Sequence, residues 1–395
     1  MTRRIYFDNA ATTPLLEEVV EAMLPLLREH YGNPSSVHAE GRRARAYVES
    51  ARKTVAQALC AGTAEIFFTS GGTEGNNTAI KCAVRDLGVR RIVSSPVEHH
   101  AVLHAIAAVA REYPVEVVWL RVDAHGHPDL EQLEQLLRHS DAPRTLVSLM
   151  HANNEIGTLL DLPAISALCR RYGALLHTDA VQTVGHFPIN VQQTPVAFLC
   201  GSAHKFHGPK GVGFLYVCAD NLIQPFIDGG GQERNLRGGT ENVYGIVGLA
   251  KALESAVAHL EERARHIRNL RRYFIERLRE TFDDIQFNGN PEGDDLYTVL
   301  SVSFPPSPKN ELLLWQLDIA GVSASGGSAC TSGAEQHSSH VLDAIGADPR
   351  RKTIRFSFSH LNQAEEVDEV VAKLRAILGK KTQNISHRSP HLLQK

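Results

Sequence analysis

Glu65-Ile-Phe-Phe-Thr-Ser-Gly-Gly-Thr-Glu-Gly-Asn76 is the stretch on which the fold turns: residues 65–69 read as a short buried strand, and Ser70-Gly-Gly-Thr73 as a tight turn opening a helix that runs to about residue 85. Ahead of it, Ala44, Val48, Ala51, Val55 and Leu59 recur at intervals of three and four, the spacing of one helix face. Downstream the alternation repeats. Strand candidates fall at 91–94, 115–120, 146–150, 174–179, 197–202 and 212–217, mostly with helical stretches between them. Such βα alternation predicts an α/β fold with a largely parallel sheet covered on both faces. Sheets of this kind bind ligands beyond the carboxyl ends of their strands.

Beyond that unit, an Arg-rich helical region at 242–280 leads through a polar turn at 288–295 into a second lobe. Strands are predicted there at 298–304, 322–325 and 353–358, and helices at 310–320 and 364–378. The expected division is a large domain over 15–257, a smaller α+β domain from 1–14 and 258–380, and a polar, frayed tail at 381–395. Two lobes suit the length of 395 residues, since single cores stop growing near ~250–300 residues. A net charge of −3 offers no broad positive field, so nucleic acid and anionic membrane are not expected partners. No stretch approaches the ~18 apolar residues of a membrane helix, and the expected location is the cytoplasm. The six cysteines, at 60, 82, 169, 200, 218 and 330, form no C-x-x-C pair, which argues against a zinc site or a disulfide framework. Five read as ordinary buried residues. Cys330 instead sits among small residues, in Ser325-Gly-Gly-Ser-Ala-Cys-Thr-Ser332.

Lys205 follows an apolar strand and enters the glycine-containing loop His204-Lys-Phe-His-Gly-Pro-Lys-Gly211. An isolated lysine is usually a solvated one, but this one has company. Asp179 ends another buried strand, where a carboxylate can pair with a pyridinium nitrogen; alone it could be a helix cap. The turn 69–76 aims free amides and a helix dipole at a bound phosphate, although glycine turns also occur for steric reasons. Together the three outline a covalent, a ring-nitrogen and a phosphate anchor for pyridoxal phosphate.

Segments 6–14, 31–38, 69–76, 98–101, 151–157, 178–182, 202–205, 229–242, 325–332 and 354–357 resemble, in order, those of the cysteine desulfurases. The cysteine segment is similar to that of the group I, NifS/IscS-like members. The resemblance implies a pyridoxal-phosphate enzyme of fold type I. It implies that Lys205 holds the cofactor, that Asp179 pairs with the ring nitrogen, that Gln182 contacts the phenolic oxygen and that His99 stacks on the ring and assists proton transfer. Gly72, Thr73, Ser202 and His204 would hold the phosphate, completed by Thr240 of a neighbouring subunit in a homodimer. Asn154 and Arg355 would bind the carboxylate of L-cysteine, although Arg355 lies in an alternating run that by itself predicts a solvent-facing side chain. Cys330 would take the sulfur as a persulfide, pass it to an acceptor such as an iron–sulfur scaffold protein, and could serve as a transient cluster ligand. Gly72 departs from the alanine common in the family, Ala203 from a glycine, and the stretch after Cys330 is about one residue longer than in some relatives. A selenocysteine lyase or another aminotransferase-like reaction on the same cofactor, and a scaffold that has lost its activity, are the alternative readings.

Overall fold

The structure is a computed structural model that describes residues 4–138, 143–326 and 339–379. Among them, seven strands form one sheet in the order Ile66–Thr69, Gly213–Val217, Phe198–Ser202, Leu175–Asp179, Thr145–Ser148, Arg91–Ser94 and Glu116–Trp119. Gly213–Val217 runs antiparallel to both neighbours, and the other pairings are parallel. Successive strand residues bury on opposite faces, as Ile92 and Val93, Leu146 and Val147, and Phe198 and Leu199 show. One face packs on helices Ala39–Leu59, Leu162–Arg171 and Val243–Ala258, the other on Gly72–Asp86 and His100–Glu112. Each fully buried phenylalanine, such as Phe198 or Phe214, contributes roughly 1.5–3 kcal/mol.

A second core forms on the antiparallel sheet of Lys352–Ser357, Val299–Phe304 and Gln286–Asn288. Helices Leu260–Thr281 and Ala364–Leu378 cover it, with Phe274 edge-on to Phe356 at 5.0 Å. Ile5–Tyr6 pairs in parallel with Val322–Ser323, which buries Ile5 and Phe7 in this second core and leads the following residues back across the end of the large sheet.

Several expectations need correction. The region 242–280 is two helices, Val243–Ala258 and Leu260–Thr281, bent by 75°. The bend sits at His259, whose φ of −114° and ψ of 17° leave the helical region, and it lets the apolar half serve one core and the Arg-rich half the other. The helix expected from residue 44 starts at Ala39, where the His38 side chain caps it; its first turn, Ala39-Glu-Gly-Arg42, buries only a glycine, so apolar spacing could not reveal it. The helix read at 310–320 spans only Leu313–Ile319. Of the five cysteines expected to be buried, Cys82, Cys169 and Cys200 are, Cys218 is half-buried, and Cys60 is exposed at a left-handed helix end. Among the described residues no single helix is long and apolar enough to cross a membrane. The tail 381–395 and Cys330 lie outside the described residues.

Candidate active site

Thr69, Ser94, Ser148, Asp179 and Ser202 end their strands at one edge of the large sheet, and the segments that follow them enclose a cavity of about 360 Å³. Gly72, Thr73, His99, Asn154, Asp179, Gln182, Ser202, His204, Lys205 and Arg355 all line it. Thr240 does not. It is exposed on the loop after Arg237, and that loop is tied to the large domain by Arg237 on Glu74 at 3.0 Å and by Arg52 on Glu233 at 2.7 and 2.9 Å.

Lys205 closes a short 3₁₀ turn after its strand and donates from Nζ to the carbonyls of Ala10 at 2.6 Å and Ala11 at 2.8 Å. Gln182 Nε2 reaches the same Ala10 carbonyl at 3.1 Å, so the stretch returning from the second core forms one wall. Asp179 accepts from Asn76 Nδ2 at 2.6 Å and from the Val181 amide at 3.0 Å. His99 caps helix His100–Glu112, its Nδ1 accepting from the Ala101 amide at 3.1 Å; the ring proton therefore belongs on Nε2. His204 is held down to about 4 by burial and by the cations of Lys205 and Lys210.

Arg355 corrects the solvent-facing expectation: it is 1% exposed. Residue 355 pairs with Ser301 in the sheet and bridges Ser325, and its guanidinium bonds Asp8 at 3.0 Å and the Asn154 carbonyl at 2.9 Å. Its Nε has no partner among the described residues. The residues flanking 327–338 are fixed to the same wall, Ser325 Oγ on Asp8 at 2.7 Å and Ser339 Oγ on Glu155.

The donor set fits pyridoxal phosphate. At the start of helix Gly72–Asp86 a Cβ on Gly72 would stand 2.5 Å from Val181 Cγ2, so the turn is kept bare at that position. Its free amides, with Ser202 and His204, suit a phosphate. Asp179 offers the carboxylate, Lys205 the amine, and the cavity volume lies in the range of small-molecule sites, about 300–1,000 Å³. The Arg355 guanidinium, which lines the cavity, suits a substrate carboxylate.

Sequence reasoning passed over Asn76, Glu98, Asp8 and Glu155, all of which lay inside or beside quoted motifs. Glu98 is fully buried, with Oε1 accepting from the Met150 amide at 2.9 Å and Ser95 Oγ at 3.1 Å. A carboxylate beside an imidazole in the pair Glu98-His99 was the available signal, but the Met150 amide that holds it lies 52 residues along the chain.

The Aminotransferase class-V family profile matches residues 5–370. Among curated proteins, the chain is 43% identical to "Cysteine desulfurase IscS" of Dictyoglomus turgidum, covering 96% of each. It is 42% identical to the protein of the same name from Methanosarcina thermophila, covering 98% of this chain and 95% of that one. Of solved structures, a NifS-like protein superposes with a TM-score of 0.87 at 39% identity, over 95% of this chain and 99% of that one. A structure described as SspA in complex with cysteine gives 0.76 at 33%, over 90% and 98%. With the fold, the gathered cavity residues and near full-length similarity in agreement, the chain belongs to the aminotransferase class-V family, on its NifS/IscS-like cysteine desulfurase branch.

Proposed function

We propose that this chain is a pyridoxal-phosphate-dependent cysteine desulfurase that turns L-cysteine and the Cys330 thiol into L-alanine and a Cys330 persulfide. Atoms balance: the substrate's C–S bond breaks, an S–S bond forms, and the thiol proton ends on alanine. The observation that carries the reading is one cavity in which the Lys205 amine, the Asp179 carboxylate and the buried Arg355 converge. A cysteine-bound neighbour supports the substrate.

When bound, pyridoxal phosphate supplies the electron sink that makes the carbon next to the amine acidic. Asp179 orients the ring through its nitrogen, and Gly72, Thr73, Ser202 and His204 hold the phosphate. Arg355 and Asn154 fix the substrate carboxylate, and the Lys205 amine moves the proton at the α-carbon. His99, protonated on Nε2, stands ready to relay a proton. Cys330 lies five residues beyond Ser325, which bounds it to within about 17 Å of that anchor. An ordinary thiol is only a few per cent ionised at pH 7. His100, whose side chain lines the cavity, is the imidazole we assign as proton acceptor.

The reading extends to a cytoplasmic homodimer in which Thr240 serves the second copy's phosphate, to an iron–sulfur scaffold protein as sulfur acceptor, and to Cys330 as a transient cluster ligand. The test is mass spectrometry of the holoenzyme after L-cysteine, with alanine measured in parallel. One extra sulfur on Cys330 is expected, and Cys330→Ala should lower alanine production at least ~100-fold. Sulfur on another residue, or full alanine production by the variant, overturns the proposal.

A further inference from the structure

Behind Asp179, a polar chain runs from Asn76 at the cavity's edge into the sheet, and the proposed chemistry leaves it without a role. His177 and Asp179 share one strand face, being two residues apart, and helix Gly72–Asp86 covers that face, so Asn76 meets both. Ser148, opposite His177 in register, places Oγ 2.8 Å from His177 Nδ1. His177 Nε2 lies 3.1 Å from Asn76 Oδ1, and Asn76 Nδ2 lies 2.6 Å from Asp179 Oδ2. Cys200 Sγ adds a contact to Nε2 at 3.7 Å. Ser148, His177 and Cys200 are 0% exposed and Asn76 is 1% exposed.

The directions of these bonds follow from the carboxylate, which only accepts. Asn76 must therefore donate to it, which turns Oδ1 toward His177. Nε2 must then carry the ring proton, and Nδ1 must accept from the Ser148 hydroxyl. Burial holds the imidazole down to about 4, with the charge of Asp179 acting the other way, so the ring is neutral at pH 7 and the chain keeps one direction.

We infer that His177 is a positioning residue for Asp179: by donating to Oδ1 it locks the Asn76 amide so that only its N–H face meets the carboxylate. Resting on the pyridoxal phosphate reading of the cavity, this assigns to Ser148, His177 and Asn76 the task of holding Asp179 square to the ring nitrogen. Without the imidazole donor, the buried Asn76 Oδ1 is left unsatisfied and the amide is held from one side only, so the carboxylate it grips at 2.6 Å is positioned less firmly. The ring nitrogen would then hold its proton less firmly. Its positive charge keeps the Lys205-linked nitrogen acidic, so the weaker hold makes that nitrogen more basic.

The test compares wild-type holoenzyme with His177→Leu, His177→Gln and Ser148→Ala by pH titration of the bound cofactor's visible absorbance and by cofactor loss on dialysis. Urea unfolding is followed alongside. For His177→Leu the titration midpoint should rise by about one pH unit and cofactor loss should quicken about tenfold. His177→Gln retains an N–H donor and should restore both. Ser148→Ala leaves Nδ1 free to take the ring proton, and should shift the midpoint in the same direction by less. If His177→Leu does not fold, Ser148→Ala alone decides. Altered unfolding with an unshifted midpoint in the soluble variants overturns the inference and leaves the cofactor reading intact. Failure of the wild type to take up pyridoxal phosphate overturns both.

Discussion

Glu98 carries the clearest consequence at the scale of one residue. Burial, and to a lesser degree the charge of Asp179, pushes its carboxyl up to about 8 against hydrogen bonds from Met150 and Ser95. It is therefore mostly protonated at pH 7, and Oε2 has no partner among the described residues. A folded-state value raised above the unfolded one favours the fold fully below about 4.5, and that contribution is lost as pH rises through about 8. Relative to Glu98→Gln, which stays neutral throughout, the wild type should lose ground in urea midpoint from pH 5 to pH 9; a constant difference would contradict the assignment. Residue identity was readable where the motif itself bore the chemistry, as at Lys205 and Asp179. It was not readable at Arg355, where alternation predicted exposure and a bridge to Ser325 and a bond to Asp8 bury the guanidinium instead. Asp8 lies 347 residues away and Ser325 lies outside the strand itself, and local spacing has no access to either.

Among elements, the strand–turn–helix at 66–86 shows why a departure in sequence has a structural reason. Gly72 stands where alanine is common, and here the space for a Cβ is taken by Val181 Cγ2, 2.5 Å away. Gly72→Ala alone should cost about 1–3 kcal/mol by overpacking, and combining it with Val181→Ala should recover most of that. The check is a double-mutant cycle in urea, with a coupling of about 1 kcal/mol expected and additive costs counting against it. The strands of the large sheet were legible to within a residue or two, because buried parallel strands read as short apolar runs between glycine and polar breaks. The antiparallel strand Gly213–Val217 was hidden in the alternation yet recoverable from chain length. Residues 203–212 are too few for a crossover helix, which takes about a dozen residues, so the chain must turn back.

For the whole molecule, the decisive quantity is the number of neutral imidazoles taken out of water. Burial holds His151, His177, His204 and His207 down to about 4 and His360 to about 3, with neighbouring cations and imidazoles adding to the effect at His204, His207 and His360. They are not confined to the site. His207 and His360 meet edge-on at 4.8 Å where the two cores adjoin, with Arg263 close enough to oppose protonation of both. Folded values below the unfolded 6.5 mean that stability is complete above that pH and is lost as pH falls toward 4, because the unfolded chain takes up protons that the folded one refuses. Each histidine contributes up to about 1.4 kcal/mol per pH unit. The group together should remove roughly 3–6 kcal/mol between pH 6.5 and 5.5, a large share of the about 5–15 kcal/mol typical of native proteins. Urea midpoints should therefore fall steeply between pH 7 and pH 5, above the range where most carboxylates titrate. His360→Phe should flatten that slope by about one proton, since it removes one buried imidazole and relieves His207. A midpoint that stays level down to pH 5 would mean that these rings gain protons in the folded state as easily as in water, and that the junction between the cores opens to solvent.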